Sequence, residues 1–533
     1  MSGRIAPAAL HARLTDGDGE LALLDVREQG AFAHAHILLA SNAPLSRLEI
    51  ELPRLVPRRA TPMVLCDGGD GRAQRATAIL GRYGYSDVAV LDGGIEAWRE
   101  AGFPLFEGIH VPSKAFGEFV EATYGTPHVT AEKLMRLAAA GRKLVVLDSR
   151  PISEYRRMSI PGGIDVPGAE LVHRVRDLAP EPETLVVVNC AGRTRSIIGA
   201  QSLINAGLSN PVAALENGTM GWTLAGYRLE HGQARVPPPL TEAGRTWAKA
   251  AAARVADRFG VGTIGHDRFA RWREEAEART LYLCDVRLPE EYEAGHLPGA
   301  RCTPGGQLVQ ATDAYLGTRG ARVVLVDDDG VRATMTASWL IQMGWRDTYV
   351  LRDGLRGELE SGPERREVLG LGAHPLEAAV APATLARMAR DDGVRILDFA
   401  DSRTFRDGHI AGAWWLGRAS LHEDLPRIPP APAYVLTSPD GVLARLALAE
   451  VGRLVGAPVH VLAGGTEAWR AAGLPLQAGA DRMAGTPDDV VYLRPYDRPP
   501  EQAEAAMREY LEWETTLLSQ LERDGTLAFA SYR

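Results

Sequence analysis

One unit is written four times along this chain. A strand ending in Asp recurs as LALLDVRE at Asp25, KLVVLDSRP at Asp148, LYLCDVRLP at Asp285 and VRILDFADS at Asp398. A turn phrase led by an aromatic residue follows each: FAHAHILLA around His36, YRRMSIPGG around Ser159, YEAGHLPGA around His296 and FRDGHIAGA around His409. A second apolar strand comes next (MVLC, LVVVN, VVLV, YVLT) and runs into a loop and a helix. A third strand closes on a glycine-containing turn: VAVLDGGIEAW, VAALENGTMGW, TYVLRDGLRGE and VHVLAGGTEAW. Self-similarity of this kind predicts an array of like units. Strands that alternate with helices, and are apolar enough to be buried on both faces, predict a parallel sheet covered on both sides. The predicted class is α/β: four tandem small doubly wound parallel-sheet domains plus a C-terminal helix.

Proline and glycine mark the joints, with VPPPL after the second unit and SGPERREVLGLGAHP before the fourth. The predicted boundaries are 1–107, 108–235, 236–366 and 367–480, with a helical tail over 481–533. The third segment opens on an alanine-rich linker helix, Thr241 to Phe259. The tail carries PEQAEAAMREYLEWETTLLSQLERDG. Its apolar positions (Ala506, Met507, Tyr510, Leu511, Trp513, Leu517, Leu518, Leu521) put one face against the body or another chain. Four cysteines in 533 residues make no disulfide framework, which points to a reducing, cytoplasmic setting. MSGRIAPAALHARL reads as the start of a domain rather than a leader, and no apolar run is long enough to span a membrane. A net charge of −9 without a long basic block argues against nucleic-acid binding.

The stretch that carries chemistry is LVVVNCAGRTRSIIGAQSLINAG, from Leu185 to Gly207. It reads as a buried strand from Leu185 to Val188, a tight loop, and a helix that begins near Ser196 and ends before Gly207. Free N–H groups of such a loop and first helical turn favour negative charge at its centre. A thiol held there, Cys190, is expected to ionise more easily than a free one. Arg193 and Arg195 add positive charge and the forked geometry that binds oxyanions. A merely buried cysteine is the plainer alternative, but an apolar pocket does not place glycine and two arginines within the next five positions.

These phrases resemble the rhodanese homology domain, in four tandem copies that cover nearly the whole chain. The resemblance rests on the Asp-x-Arg strand end, the Gly-His-Ile/Leu-x-Gly-Ala turn, the cysteine loop and the Gly-Gly-x-x-x-Trp closure. It implies sulfur transfer through a cysteine persulfide, with thiosulfate or a mercaptopyruvate-like donor. Register decides which unit does this. Arg195, Arg72 and Arg332 each stand the same distance before a helix-ending glycine (Gly207, Gly84, Gly344). Counting back, Cys190 corresponds to Asp67 and Asp327, and more loosely to Ser438. The catalytic role therefore falls on Cys190 alone, and units one, three and four read as structural or accessory. Cys66 lies one position off register and reads as a buried thiol, Cys284 reads as core, and Cys302 receives no role. No two cysteines share a zinc-ligand spacing. Unit two departs from the phrase at Ser159, where the other units have histidine, and at its Glu-Asn-Gly-Thr-Met-Gly-Trp closure. The loop near Asn217 and Trp222 should lie beside the cysteine loop, with Trp222 in the core.

The reaction that follows is a double displacement. The Cys190 thiolate takes the outer sulfur of a small anionic donor, sulfite leaves, and an acceptor (cyanide, a thiol or a partner protein's cysteine) takes the sulfur away. Amides from Ala191, Gly192, Arg193, Thr194, Arg195 and Ser196 would hold the persulfide charge. Arg193 and Arg195 would bind the donor and help sulfite leave. Arg72 and Arg332 echo Arg195 in units without the cysteine, so Arg193 is the better donor-binding candidate and Arg195 a loop anchor. Thr194 and Ser196 would face the persulfide or cap the helix. Asp148 and Arg150 tie strand ends together. No cofactor or metal is needed. Two rivals stay open. One is a persulfide relay or scaffold, in which the silent units recruit partners. The other is a cysteine phosphatase or arsenate reductase, whose loop carries one residue more than the four, Ala191 to Thr194, between Cys190 and Arg195.

Overall fold

The computed structural model describes residues 3–17, 19–373, 379–391, 393–489 and 494–532. It holds four doubly wound units, each built on a parallel sheet. In every unit the strands lie side by side in the order first, fifth, fourth, second, third. For the second unit these are His128–Val129, Val212–Leu215, Leu185–Asn189, Leu144–Asp148 and Ile164–Asp165. Leu185–Asn189 is central, paired with Leu144–Asp148 so that Val188 faces Leu147 and Asn189 faces Asp148. Val186, Val187 and Val188 are all fully buried. A strand covered on both faces needs no polar alternation, which is why LVVVN reads as a continuous apolar run.

The Asp-x-Arg phrase is a strand-end clamp. Arg150 grips Asp148 through Nε (2.8 Å) and Nη2 (2.7 Å), then reaches the Met158 carbonyl at 2.6 Å. Arg27 and Arg287 do the same to Asp25 and Asp285. In the fourth unit Ala400 takes the arginine's place. Asp398 is left to accept the Ala400 amide, and burial pushes its carboxyl up to about 7. The turn histidines are also structural. His36, His296 and His409 stack on Phe32, Tyr292 and Phe405 at 4.0, 3.7 and 3.8 Å. Ser159 keeps the paired backbone hydrogen bonds to Glu230 that its counterparts make, but its buried hydroxyl finds no partner among the described residues. The substitution costs a hydrogen bond and leaves the turn intact.

The units form one body. Glu242–Phe259, capped by Thr241, is the linker helix, and its alanines let units two and three approach until they share a core. Trp339 of the third unit donates to Ser202 of the second at 2.9 Å. A Cβ at Gly306 would stand 2.9 Å from the Gly168 nitrogen, so backbone touches backbone there. Units one and three are joined by Thr318–Arg319, which adds antiparallel to Leu21–Asp25. Units one and four meet where Arg418 binds Glu49 at 2.8 and 2.9 Å. Among the described residues no helix is long and apolar enough to cross a membrane.

The tail helix spans Pro500–Asp524. It packs on this body: Leu517 and Leu521 join Phe106, Val111 and Ala115, while Met507 and Leu511 join Met220. Its main support is the helix Val111–Tyr124, which precedes the second unit. The predicted apolar stripe is the buried face, with two additions: Glu514 sits in the middle of it, 2% exposed, and Asp524 at its end.

Candidate active site

Cys190 follows the central strand at the carboxyl edge of the second sheet, where the helix Thr194–Asn205 begins. Sheet edges of this kind gather loops from several strands. The closure loop does lie beside the cysteine loop: Thr219 donates its amide to the Cys190 carbonyl at 2.9 Å, and Met220 donates to Ala191 at 3.1 Å. Gly218 is required there, with φ +55° and a would-be Cβ 2.2 Å from the Cys190 carbonyl oxygen. Trp222 is buried in the core and donates its indole N–H to the Arg228 carbonyl.

The four units share one register at this position. Asp67 accepts the Gly69 and Ala73 amides, both at 2.8 Å. Asp327 accepts those of Gly330 (2.7 Å) and Ala333 (3.0 Å). The Ser438 hydroxyl accepts the Ala444 amide at 3.3 Å. Each acceptor stands six residues before its donor on the helix. Cys190 stands six before Ser196, and its thiol donates to the Ser196 hydroxyl at 3.5 Å. That hydroxyl donates in turn to the Arg193 carbonyl at 2.8 Å.

The thiol does not ionise easily in the closed site. Cys190 is 2% exposed, and burial pushes its pKa above the ordinary thiol value. Arg195 and the Ser196 hydroxyl and amide pull it down, while Glu514 pushes it up. The loop supplies the expected electrostatic help, and desolvation outweighs it. Cys66 and Cys284 are buried with thiols also pushed up by desolvation, and Cys302 is half-buried.

The two arginines part company. Arg193 forks onto Glu118 at 2.7 and 2.7 Å and also contacts Glu121, both on the helix Val111–Tyr124. It does not line the cavity beside the cysteine. Arg195 does line it, held by Glu154 at 2.9 and 2.8 Å. Burial works against the charge of each arginine, and the carboxylates more than restore it. Arg332 repeats the Arg195 arrangement against Glu291 in the third unit, whereas Arg72 of the first unit turns to Asp70. Thr194 turns its hydroxyl toward Glu514 at 3.5 Å. Ala191 lines the cavity, and a Cβ at Gly192 would meet Glu514 Oε2 at 3.2 Å.

The cavity holds about 180 Å³ and is shared between parts of the chain. Ala191 and Arg195 come from the cysteine loop and its helix, Gln310 from unit three, Lys114 from the preceding helix, Arg494 and Tyr496 from beyond unit four, and Tyr510 from the tail. Motif reading does not reach Lys114, Arg494 or Glu514, because none lies in the repeat. A weak signal was present: a lysine in VPSKAFGEFV and a glutamate on an apolar stripe are charges at core positions.

The Rhodanese-like domain family matches residues 6–101, 130–225, 266–358 and 381–472. A crystal structure of thiosulfate sulfurtransferase from Pseudomonas aeruginosa is 51% identical, covers 99% of both chains and superposes with a TM-score of 0.94. A thiosulfate sulfurtransferase from Azotobacter vinelandii is 27% identical over 247 residues, 39% of this chain and 88% of its own length. An HTH-type transcriptional regulator from Mycobacterium tuberculosis is 31% identical over 110 residues, 20% of this chain and about half (47%) of its own length.

Proposed function

We propose that this chain, which belongs to the rhodanese-like domain family, is a thiosulfate sulfurtransferase that carries sulfur on Cys190. The Cys190 thiolate attacks the outer sulfur of thiosulfate. The S–S bond of the donor breaks, and its electron pair leaves with sulfite. The persulfide anion then rests where the other three units hold oxygen, over the start of the helix Thr194–Asn205. Backbone amides of the loop and the Ser196 hydroxyl hold its charge. A nucleophilic acceptor, cyanide or a small thiol, attacks the outer sulfur and regenerates the thiolate.

One observation supports this reading above the rest: a thiol occupies, in one unit of four, the position that the others fill with a carboxylate or hydroxyl accepting helix amides. The cavity reaches the neighbouring residue Ala191, though not the Cys190 side chain itself, and it sets Lys114, Arg195 and Arg494 against the carboxylate of Glu154, which suits a small anion. The test is intact mass after exposure to thiosulfate and removal of excess donor. The parent gains one sulfur atom and releases it to cyanide; Cys190→Ser gains none. Sulfur retained by Cys190→Ser would move the site elsewhere.

A further inference from the structure

The cavity beside Cys190 has a wall that the repeats do not supply, and we propose that Lys114 on that wall binds the sulfonate end of the donor. This rests on the sulfurtransferase reading and adds a donor-binding residue to it. A dianion brought to a thiolate needs positive charge. Arg193 turns away from the cavity to Glu118 and Glu121, and Arg195 lines it while forked onto Glu154, so a further cation on the wall adds to the positive charge the donor meets.

Lys114 lines the same cavity as Ala191 and Arg195, the residues on either side of the loop. Its place is fixed by packing. Three residues on, Gly117 lies so close to the loop that a Cβ would stand 2.9 Å from the Thr194 Cα. Residues three apart share a helix face, so the contact that seats the helix on the cysteine loop also brings Lys114 there. The ammonium lies over the rings of Tyr510 and Trp513, 4.9 and 4.7 Å from their centroids, which offsets part of the cost of burying its charge. The charged and titratable groups around it are Glu514 on the tail helix, Asp313 on the third unit with His110 bonded to it, and Arg195 on the catalytic unit, while Glu154 and Arg494 line the same cavity. A donor dianion would sit between Lys114 and Arg195, with Arg494 also on the wall. Lys114 moves no proton in the reaction; it holds the sulfonate oxygens as the S–S bond breaks and sulfite carries off the electron pair.

Burial pushes the Lys114 ammonium down to about 8, with Glu514 and Asp313 pulling it back up and Arg195 adding to the fall. The half-saturating thiosulfate concentration should therefore rise as pH climbs past this range. The experiment is single-turnover persulfide formation on the full chain, titrated with thiosulfate, for the parent, Lys114→Met and Lys114→Arg. Lys114→Met raises the half-saturating thiosulfate concentration about 10- to 100-fold, the scale of one charge-assisted hydrogen bond. It leaves the cyanide dependence of sulfur release unchanged. Lys114→Arg recovers most of the loss and moves the pH limb upward, which a packing role would not do. Lys114→Gln replaces the Met variant if the latter lacks the parent's near-ultraviolet circular dichroism. Equal thiosulfate dependence in parent and neutral variant overturns the proposal while leaving the sulfurtransferase reading standing. Failure of the parent itself to take up sulfur overturns both.

Discussion

Cys190 and Ser196 face each other across the turn from strand to helix, Sγ 3.5 Å from Oγ. The same span is closed by a carboxylate in units one and three and by a hydroxyl in unit four. The loop is therefore a polar site first and a catalytic one second: oxygen there accepts a helix amide in three units, and in the second the thiol meets the Ser196 hydroxyl instead. Catalysis enters where the group held there is also a nucleophile.

The oxygen-filled loops should matter to stability and not to sulfur transfer. Asp327→Ala leaves the Gly330 and Ala333 amides without their acceptor. The expected loss is about 1–3 kcal/mol, the cost of stranding buried polar groups. Urea denaturation followed by tryptophan fluorescence measures it. Persulfide loading of the variant, read by intact mass, should equal that of the parent.

Glu514 should hold down the reactivity of the thiol. Its carboxylate pushes the Cys190 pKa up, and burial does so more strongly. Glu514→Gln removes the charge and keeps an amide that can meet Tyr510, whose hydroxyl donates to Glu514 at 2.9 Å. The thiol pKa then falls. Below the pKa, each unit of decrease raises the thiolate fraction tenfold. Iodoacetamide alkylation of Cys190 at neutral pH should speed up by about threefold or more. An unchanged alkylation rate would show that the carboxylate is screened from the sulfur.

Much of this was legible in the sequence, for a physical reason. A strand buried on both faces, a clamp such as Asp148–Arg150 and a glycine such as Gly218 each leave a local signature, so units, loop and register could be read from LVVVNCAGRTRS and its echoes. What could not be read is what the units do to one another. Arg193 looked like the donor's ligand because its partners, Glu118 and Glu121, lie outside the repeat. The thiol looked acidic because the loop's dipoles are visible in sequence, while the docking of the tail helix on that loop is not. Lys114 and Glu514 reach the site through packing between distant segments, which no local pattern encodes.

The unclamped aspartate of unit four should make stability depend on pH. Asp398 lacks the arginine of its counterparts, and its carboxyl is pushed up to about 7. The folded state then binds the proton more tightly than the unfolded chain, so stability is highest in acid and falls as pH rises from about 4 to 7. Asp398→Asn keeps an acceptor for the Ala400 amide and removes the ionisation. It should stabilise the chain at pH 8, by up to about 4 kcal/mol if the whole shift is realised, and do little at pH 4. Urea midpoints at the two pH values decide it.

Glu154 should separate anchoring from donor binding, because it does both to Arg195. The Arg195 guanidinium holds the Glu154 carboxyl at about 2, against burial that would raise it. A depressed carboxyl gives stability above its unfolded value and loses it as pH falls toward 2. Glu154→Gln removes that acid limb and leaves a largely buried guanidinium without its forked partner, at a cost of about 3 kcal/mol near neutrality. The same change gives Arg195 a net charge in a cavity that it already lines. The Cys190 thiol should then ionise more readily, and the half-saturating thiosulfate concentration should fall. Urea midpoints and single-turnover titrations on one preparation should therefore move in opposite senses, with a less stable protein that holds its donor more tightly. If thiosulfate binding weakens along with stability, Arg195 is an anchor only, and donor recognition rests on the far wall.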